Sequence, residues 1–141
     1  MGFVPNPSHP PHTLSRMNTH TIGPPRARML ADPADPGEDY FVSPEKLLGG
    51  HPKQTLWTQY TDATGKFFAG IWRSEPGKWK VSYTEEEYCQ MIEGVSVITG
   101  ADGQVLTVRA GDSFVIPRGF VGTWEVVERS TKRFVIYEAL G

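Results

Sequence analysis

Hydrophobic and polar positions alternate with a period of two through most of the chain from Gln54 onward. Thr55-Leu56-Trp57-Thr58-Gln59-Tyr60 reads as one strand and Phe67 to Ser74 as a second, with the turn Asp62-Ala63-Thr64-Gly65-Lys66 between them. Glu75-Pro76-Gly77 ends the second strand. Lys78 to Tyr83 is a third and Glu87 to Glu93 a fourth. Val95 to Thr99 and Gln104 to Val108 flank Gly100-Ala101-Asp102-Gly103 as a hairpin. Ser113 to Ile116, Gly122 to Val127 and Lys132 to Glu138 bring the set to about nine short strands. Turn signals at this spacing predict an all-β sandwich or barrel over residues 54–141. No helical period longer than two turns competes, and no repeat is visible.

The pattern is absent before residue 37. Eight of the twelve prolines fall in the first 36 residues, beside His9, His12 and His20. Such a segment buries too little apolar surface to offset its ordering entropy. Residues 1–36 are therefore expected to be disordered or loosely draped, with Met17 as an alternative start. Residues 37–53 read as a strap. Within it Ser43-Pro44-Glu45-Lys46-Leu47-Leu48-Gly49-Gly50 predicts one short helical turn, capped by Ser43 and ended by the glycine pair.

The chain has 141 residues, enough for one domain once the tail is set aside. A net charge of −2 with no basic face argues against nucleic acid. No apolar run approaches the roughly 20 residues that span a bilayer, and no secretory leader pattern is present. A single cysteine, Cys89, excludes an internal disulfide. These features predict a cytoplasmic protein without a membrane partner.

Two short spacings carry more. Glu87, six residues and Gly94 match the second half of the first cupin motif, G-x5-H-x-H-x3/4-E-x6-G. Gly111, five residues, Pro117, one residue and Gly119 match the first half of the second, G-x5-P-x-G-x2-H-x3-N. The chain thus resembles the cupin superfamily, and the resemblance implies a double-stranded β-helix, the jelly-roll or RmlC-like barrel. Gly-Asp-x-Phe-Val-x-Pro-x-Gly-Phe from Gly111, with Gly122-Thr123-Trp124-Glu125-Val126 and the following Lys132, is similar to the branch holding the (S)-ureidoglycine aminohydrolase cupin domain.

The resemblance also implies a metal held by imidazoles and a carboxylate, and here the ligand positions differ. The histidine slots of the first motif fall near Val81 and Tyr83, and that of the second at Gly122. All four histidines, with His51 the last, precede the barrel. Glu87 alone remains as a candidate ligand, whereas transition-metal sites use three or four. No cofactor is expected. A divalent metal would require His51 or a tail histidine to fold over the mouth.

If Glu87 points inward as the resemblance implies, Cys89 and Met91 share its face. Tyr83 takes a vacated ligand slot, and Trp72 and Trp124 lie on neighbouring strands. Trp72, Tyr83, Glu87, Cys89, Met91 and Trp124 are the candidate ligand pocket. The alternative is that the aromatics, Trp57 and Trp79 among them, simply fill the barrel. Glu87 is then a satisfied buried group held by Tyr83 or Lys80, or, lacking a cation, a carboxyl with a raised pKa. Glu85 and Glu86 read as a solvated turn, Asp112 as a turn former, and Arg118 as a group near the mouth able to meet an anion.

Three functions fit. The favoured one is a metal-free cupin that binds a small polar or amphipathic metabolite. The second is a metal-dependent enzyme resembling ureidoglycine aminohydrolase or a cupin dioxygenase. The third is a structural module with a filled barrel. The resemblance implies a homodimer, and in the third reading Thr55 to Tyr60 would be the strand exchanged between protomers.

Overall fold

A computed structural model describes residues 24–139. Among them are nine strands and no helix: β1 (Glu38–Phe41), β2 (Leu47–Gly50), β3 (Lys53–Thr61), β4 (Phe67–Ser74), β5 (Gly77–Ser82), β6 (Glu86–Gly100), β7 (Val105–Arg109), β8 (Ser113–Ile116) and β9 (Val121–Tyr137). Every pairing is antiparallel. His9, His12, His20 and Met17 lie outside the described residues.

Two strands are longer than the sequence pattern suggests. The segments 87–93 and 95–99 merge into β6, of 15 residues, and 122–127 and 132–138 merge into β9, of 17. The first half of β6 pairs with β8 and the second half of β9. Its second half pairs with β7 and the first half of β9. Strand β9 also pairs with β5 through Val121 to Val126 and with β4 through Ser130 to Tyr137. The sheet therefore curls into two halves, and β6 and β9 belong to both.

The curl needs a bend, and the ladder between β6 and β9 slips in register from Met91 to Ser96. Gly94 sits there with φ +88, and a Cβ on it would lie 2.0 Å from the Arg129 carbonyl oxygen. Glycine is required for conformation and for room. The buried Ser96 and Ser130 hydroxyls bond each other at 2.8 Å beside the bend.

The two short N-terminal strands were not expected. Strand β1 extends the sheet beyond β3, and β2 extends it beyond β5. The predicted turn is present, with the Lys46 N–H bonding the Ser43 carbonyl at 3.0 Å and the Leu47 N–H that of Pro44 at 3.3 Å. It ends there. Gly49 and Gly50, expected to close a helical turn, instead pair with Lys78 and Gly77 at the sheet edge.

Residues 24–37 have no regular structure yet are draped on the outer face of the sheet. The Trp57 indole donates to the Asp35 carbonyl at 2.9 Å and the Gln59 amide to that of Ala31 at 2.6 Å. Arg133 donates to the Leu30 carbonyl at 3.2 Å and pairs with Asp32 at 3.0 Å. The attachment runs through backbone carbonyls and charge, which hydropathy does not register. No helix among the described residues is long and apolar enough to cross a membrane.

Candidate functional site

Period-two alternation at the end of β9 buries Lys132, Phe134 and Ile136 and leaves Arg133, Val135 and Tyr137 wholly or partly exposed. Lys132 is thereby turned into the curled sheet. Its cross-strand partners are Trp72 on β4 and Met91 on β6. Cys89 and Glu87 follow along β6, opposite Phe134 and Ile136. The lysine stem runs in that direction, and its Nζ reaches to 2.9 Å from Glu87 Oε2, with neither side chain exposed. The ammonium lies 4.7 Å from the Trp72 ring centroid and 4.3 Å from that of Trp124. The two indoles meet edge to face at 5.6 Å.

The cation is thus enclosed by a carboxylate, a thiol and two aromatic faces. Taking both charges out of water carries a penalty of several kcal/mol per ion, offset only when the pair is close and further contacts assist. Desolvated cation–π contacts contribute about 2 kcal/mol each in such a setting.

Titration follows from these neighbours. Burial pulls the Lys132 pKa down, but Cys89 and Glu87 beside it more than reverse this and hold it above the usual lysine range. Burial, then the Glu87 charge, pushes the Cys89 thiol well up, with Lys132 opposing. The thiol is protonated at neutral pH, which removes it as a nucleophile. Tyr40 on β1 is partly exposed, yet burial of its phenol raises its pKa, the Trp72 contact opposes this, and the Glu87 charge adds to the rise.

The six expected pocket residues all lie on the inner face, each at most 2% exposed. Trp72, Glu87, Cys89 and Trp124 converge on the ammonium, and Met91 flanks the base of its stem. Tyr83 has its ring 6.2 Å from Phe120 and its backbone tied to the turn at Gly119 and Phe120. Lys132 entered the sequence reading only through the family resemblance and not as a pocket residue, although it shares the alternating register of Phe134 and Ile136. A charged residue is ordinarily assigned to the exposed face, and the register should have overruled that habit.

Several expectations are corrected. Glu87 does not lack a cation, since Lys132 pairs with it, while Lys80 is exposed. Glu85 is not solvated: it is 1% exposed, and its carboxylate accepts the Thr84 N–H at 3.0 Å. Trp57 does not fill the interior but packs on the outer face beneath residue 35. Gly122, at the histidine position of the second motif, has no room for a side chain, since a Cβ there would lie 2.0 Å from the Thr99 carbonyl oxygen. His51 is exposed and stacks on Phe41 at 4.5 Å. Asp112 does form the turn, accepting the Arg109 N–H at 2.9 Å.

Divalent transition metals need three or four donors. Among the described residues no three His, Cys, Asp or Glu side chains come together. The Glu87 carboxylate already faces an ammonium, so the described residues do not fit a metal.

Residues 61–134 match the family model described as the EutQ-like cupin domain. No curated protein matches the chain. Among solved structures, the Clostridium difficile EutQ protein is 18% identical with a TM-score of 0.55, over 63% of this chain and 65% of its own. An ethanolamine utilization protein Q from Salmonella typhimurium is 19% identical with a TM-score of 0.55, over 64% of this chain and 72% of its own. A DUF861-family protein from Pseudomonas syringae is 21% identical with a TM-score of 0.63, over 72% of this chain and 45% of its own. The chain spans less than two thirds of the length of the Clostridium and Pseudomonas proteins, and at these identities the likeness concerns the fold.

Proposed function

From the premise that this chain belongs to the EutQ-like cupin domain family, we propose that it binds a small polar or amphipathic metabolite inside the curled sheet, with the Lys132–Glu87 pair in the role a metal plays in other cupins. The observation that carries this reading is the pair itself, at 2.9 Å with both side chains unexposed. Replacing such a pair by apolar residues is often neutral or stabilising, so folding alone does not require it. Strongly perturbed groups gathered in one place mark candidate functional sites.

The pair offers an ammonium donor and a carboxylate acceptor between two indole faces. That combination suits a ligand with a carbonyl or carboxylate at one end and an N–H or O–H beside it. Access requires displacement of Tyr40, Leu47, Phe114 or Phe120, which are only partly buried where they pack against the core. The closed interior also favours a second reading, in which the barrel is filled and the domain serves as a structural or dimerising module.

Thermal-shift screening of small carboxylates, amides and ureides, followed by calorimetry, separates the two. A ligand should raise the melting temperature of the wild type and leave the Glu87→Gln/Lys132→Met double variant unmoved. Hits that stabilise both proteins equally would sink the pair's role, and a screen with no hit would leave the filled-barrel reading.

A further inference from the structure

A second polar constellation lies on the opposite, outer face of the sheet, away from Lys132. Residues 32–36 pass over it and wall a groove of about 660 Å³. The floor is Trp57, Ile71 and Ile92, and the polar groups are Arg73, Thr131 and Glu93. The last three form one row across the strands, with Arg73 opposite Thr131 and Thr131 opposite Glu93. The Arg73 guanidinium lies over the Trp57 ring at 5.1 Å. Its Nε donates to Thr131 Oγ1 at 3.2 Å, and that hydroxyl donates to Glu93 Oε1 at 2.7 Å. Trp57 is itself fixed by its bond to the Asp35 carbonyl at 2.9 Å.

These contacts use one face of the guanidinium and its Nε. The two η nitrogens have no acceptor among the described residues. A planar guanidinium held this way is a receptor for the two oxygens of a carboxylate. A bare anion would also meet the Asp35 and Glu93 carboxylates, whereas Asp32 is already paired with Arg133 at 3.0 Å. A zwitterion resolves the conflict, with its carboxylate on Arg73, its ammonium toward Glu93 or Asp35, and a compact apolar body on Trp57, Ile71 and Ile92.

We propose that this groove binds a small free amino acid with a branched apolar side chain, independently of the interior site. The test is an NMR titration of the 15N-labelled full chain, following the Trp57 indole N–H, assigned with Trp57→Phe. L-leucine is compared with 4-methylpentanoate, which lacks the ammonium, and isoamylamine, which lacks the carboxylate. Leucine should shift the resonance saturably with a millimolar Kd, and each of the others should bind roughly tenfold more weakly or worse, the loss of one paired charge. Arg73→Met should abolish the response, Glu93→Gln should weaken it, and Glu87→Gln/Lys132→Met should retain it. Arg73→Lys keeps the charge without the paired donors and should bind roughly tenfold more weakly, which guards against a folding effect of the methionine. No shift with millimolar leucine, an equal response to isoamylamine, or full affinity in either Arg73 variant overturns the proposal. Loss in the Glu87/Lys132 double variant with retention in Arg73→Met would place the ligand inside the sheet and overturn it as well.

Discussion

Lys132 makes the interior depend on its partner, and single substitutions there should behave unlike paired ones. Glu87→Gln leaves a buried ammonium without its counter-charge and should lower stability by about 3–5 kcal/mol in urea denaturation. Adding Lys132→Met should recover most of that loss. Equal stabilities for the single and double variants would show that the pair is not coupled. Alkaline pH tests the same cluster. The Cys89 and Tyr40 values are raised on folding, so stability declines once the unfolded chain begins to release these protons, at about pH 8.5 and 10. The Lys132 value is also raised; its contribution is complete below about pH 10.4 and lost as pH rises through the folded value. All three act in one direction. The urea midpoint should be level near neutrality and fall above about pH 9, with Cys89→Ala delaying the onset; a midpoint that rises into alkali contradicts the arrangement. The inward-facing set of Glu87, Cys89, Met91, Trp72 and Trp124 was readable from alternation joined to a family motif. Lys132 stood in an inward register but was set aside for its charge; Glu85 was not readable, because burying a charge is decided by its partner's position in space, which a linear pattern does not contain.

At the level of strands, the sequence located segments well and joined them poorly. Breaks in alternation at Glu93 and Gly94, and again near Glu128 and Arg129, read as strand ends. A bulge produces the same break while the backbone continues its ladder, which is why β6 and β9 are twice as long as they read. Strands β1 and β2 are four residues each, too short to display a period, and exist because the edges beside β3 and β5 offer unpaired backbone groups. Gly94→Ala tests the bend directly. With φ +88 and the Arg129 carbonyl 2.0 Å from the added carbon, it should destabilise by about 1–3 kcal/mol or more in chemical denaturation. Gly103 has a similar φ, +92, but open space around it, so Gly103→Ala should cost less. The reverse order would mean that the bend relaxes freely.

For the molecule as a whole, fold class was the most legible property, since period two and regular turns leave few architectures. Function was the least, because the motif positions that name a reaction are occupied by Val81, Tyr83 and Gly122. Elemental analysis of purified, untagged protein should find metal far below one equivalent per chain, and a chelator should leave the melting temperature unchanged. One equivalent that resists the chelator would reverse this and reopen the enzyme reading. The sharing of β6 and β9 between both halves of the sheet has a final consequence, for how the molecule comes apart. Neither half can detach without tearing a strand that also completes the other, so partial opening gains little chain entropy. Amides of Tyr88 to Gln90 and of Val97 to Ile98, far apart along the same strand, should therefore exchange with solvent deuterium through one common event. Protection that differs by orders of magnitude between them would mean that the halves melt separately.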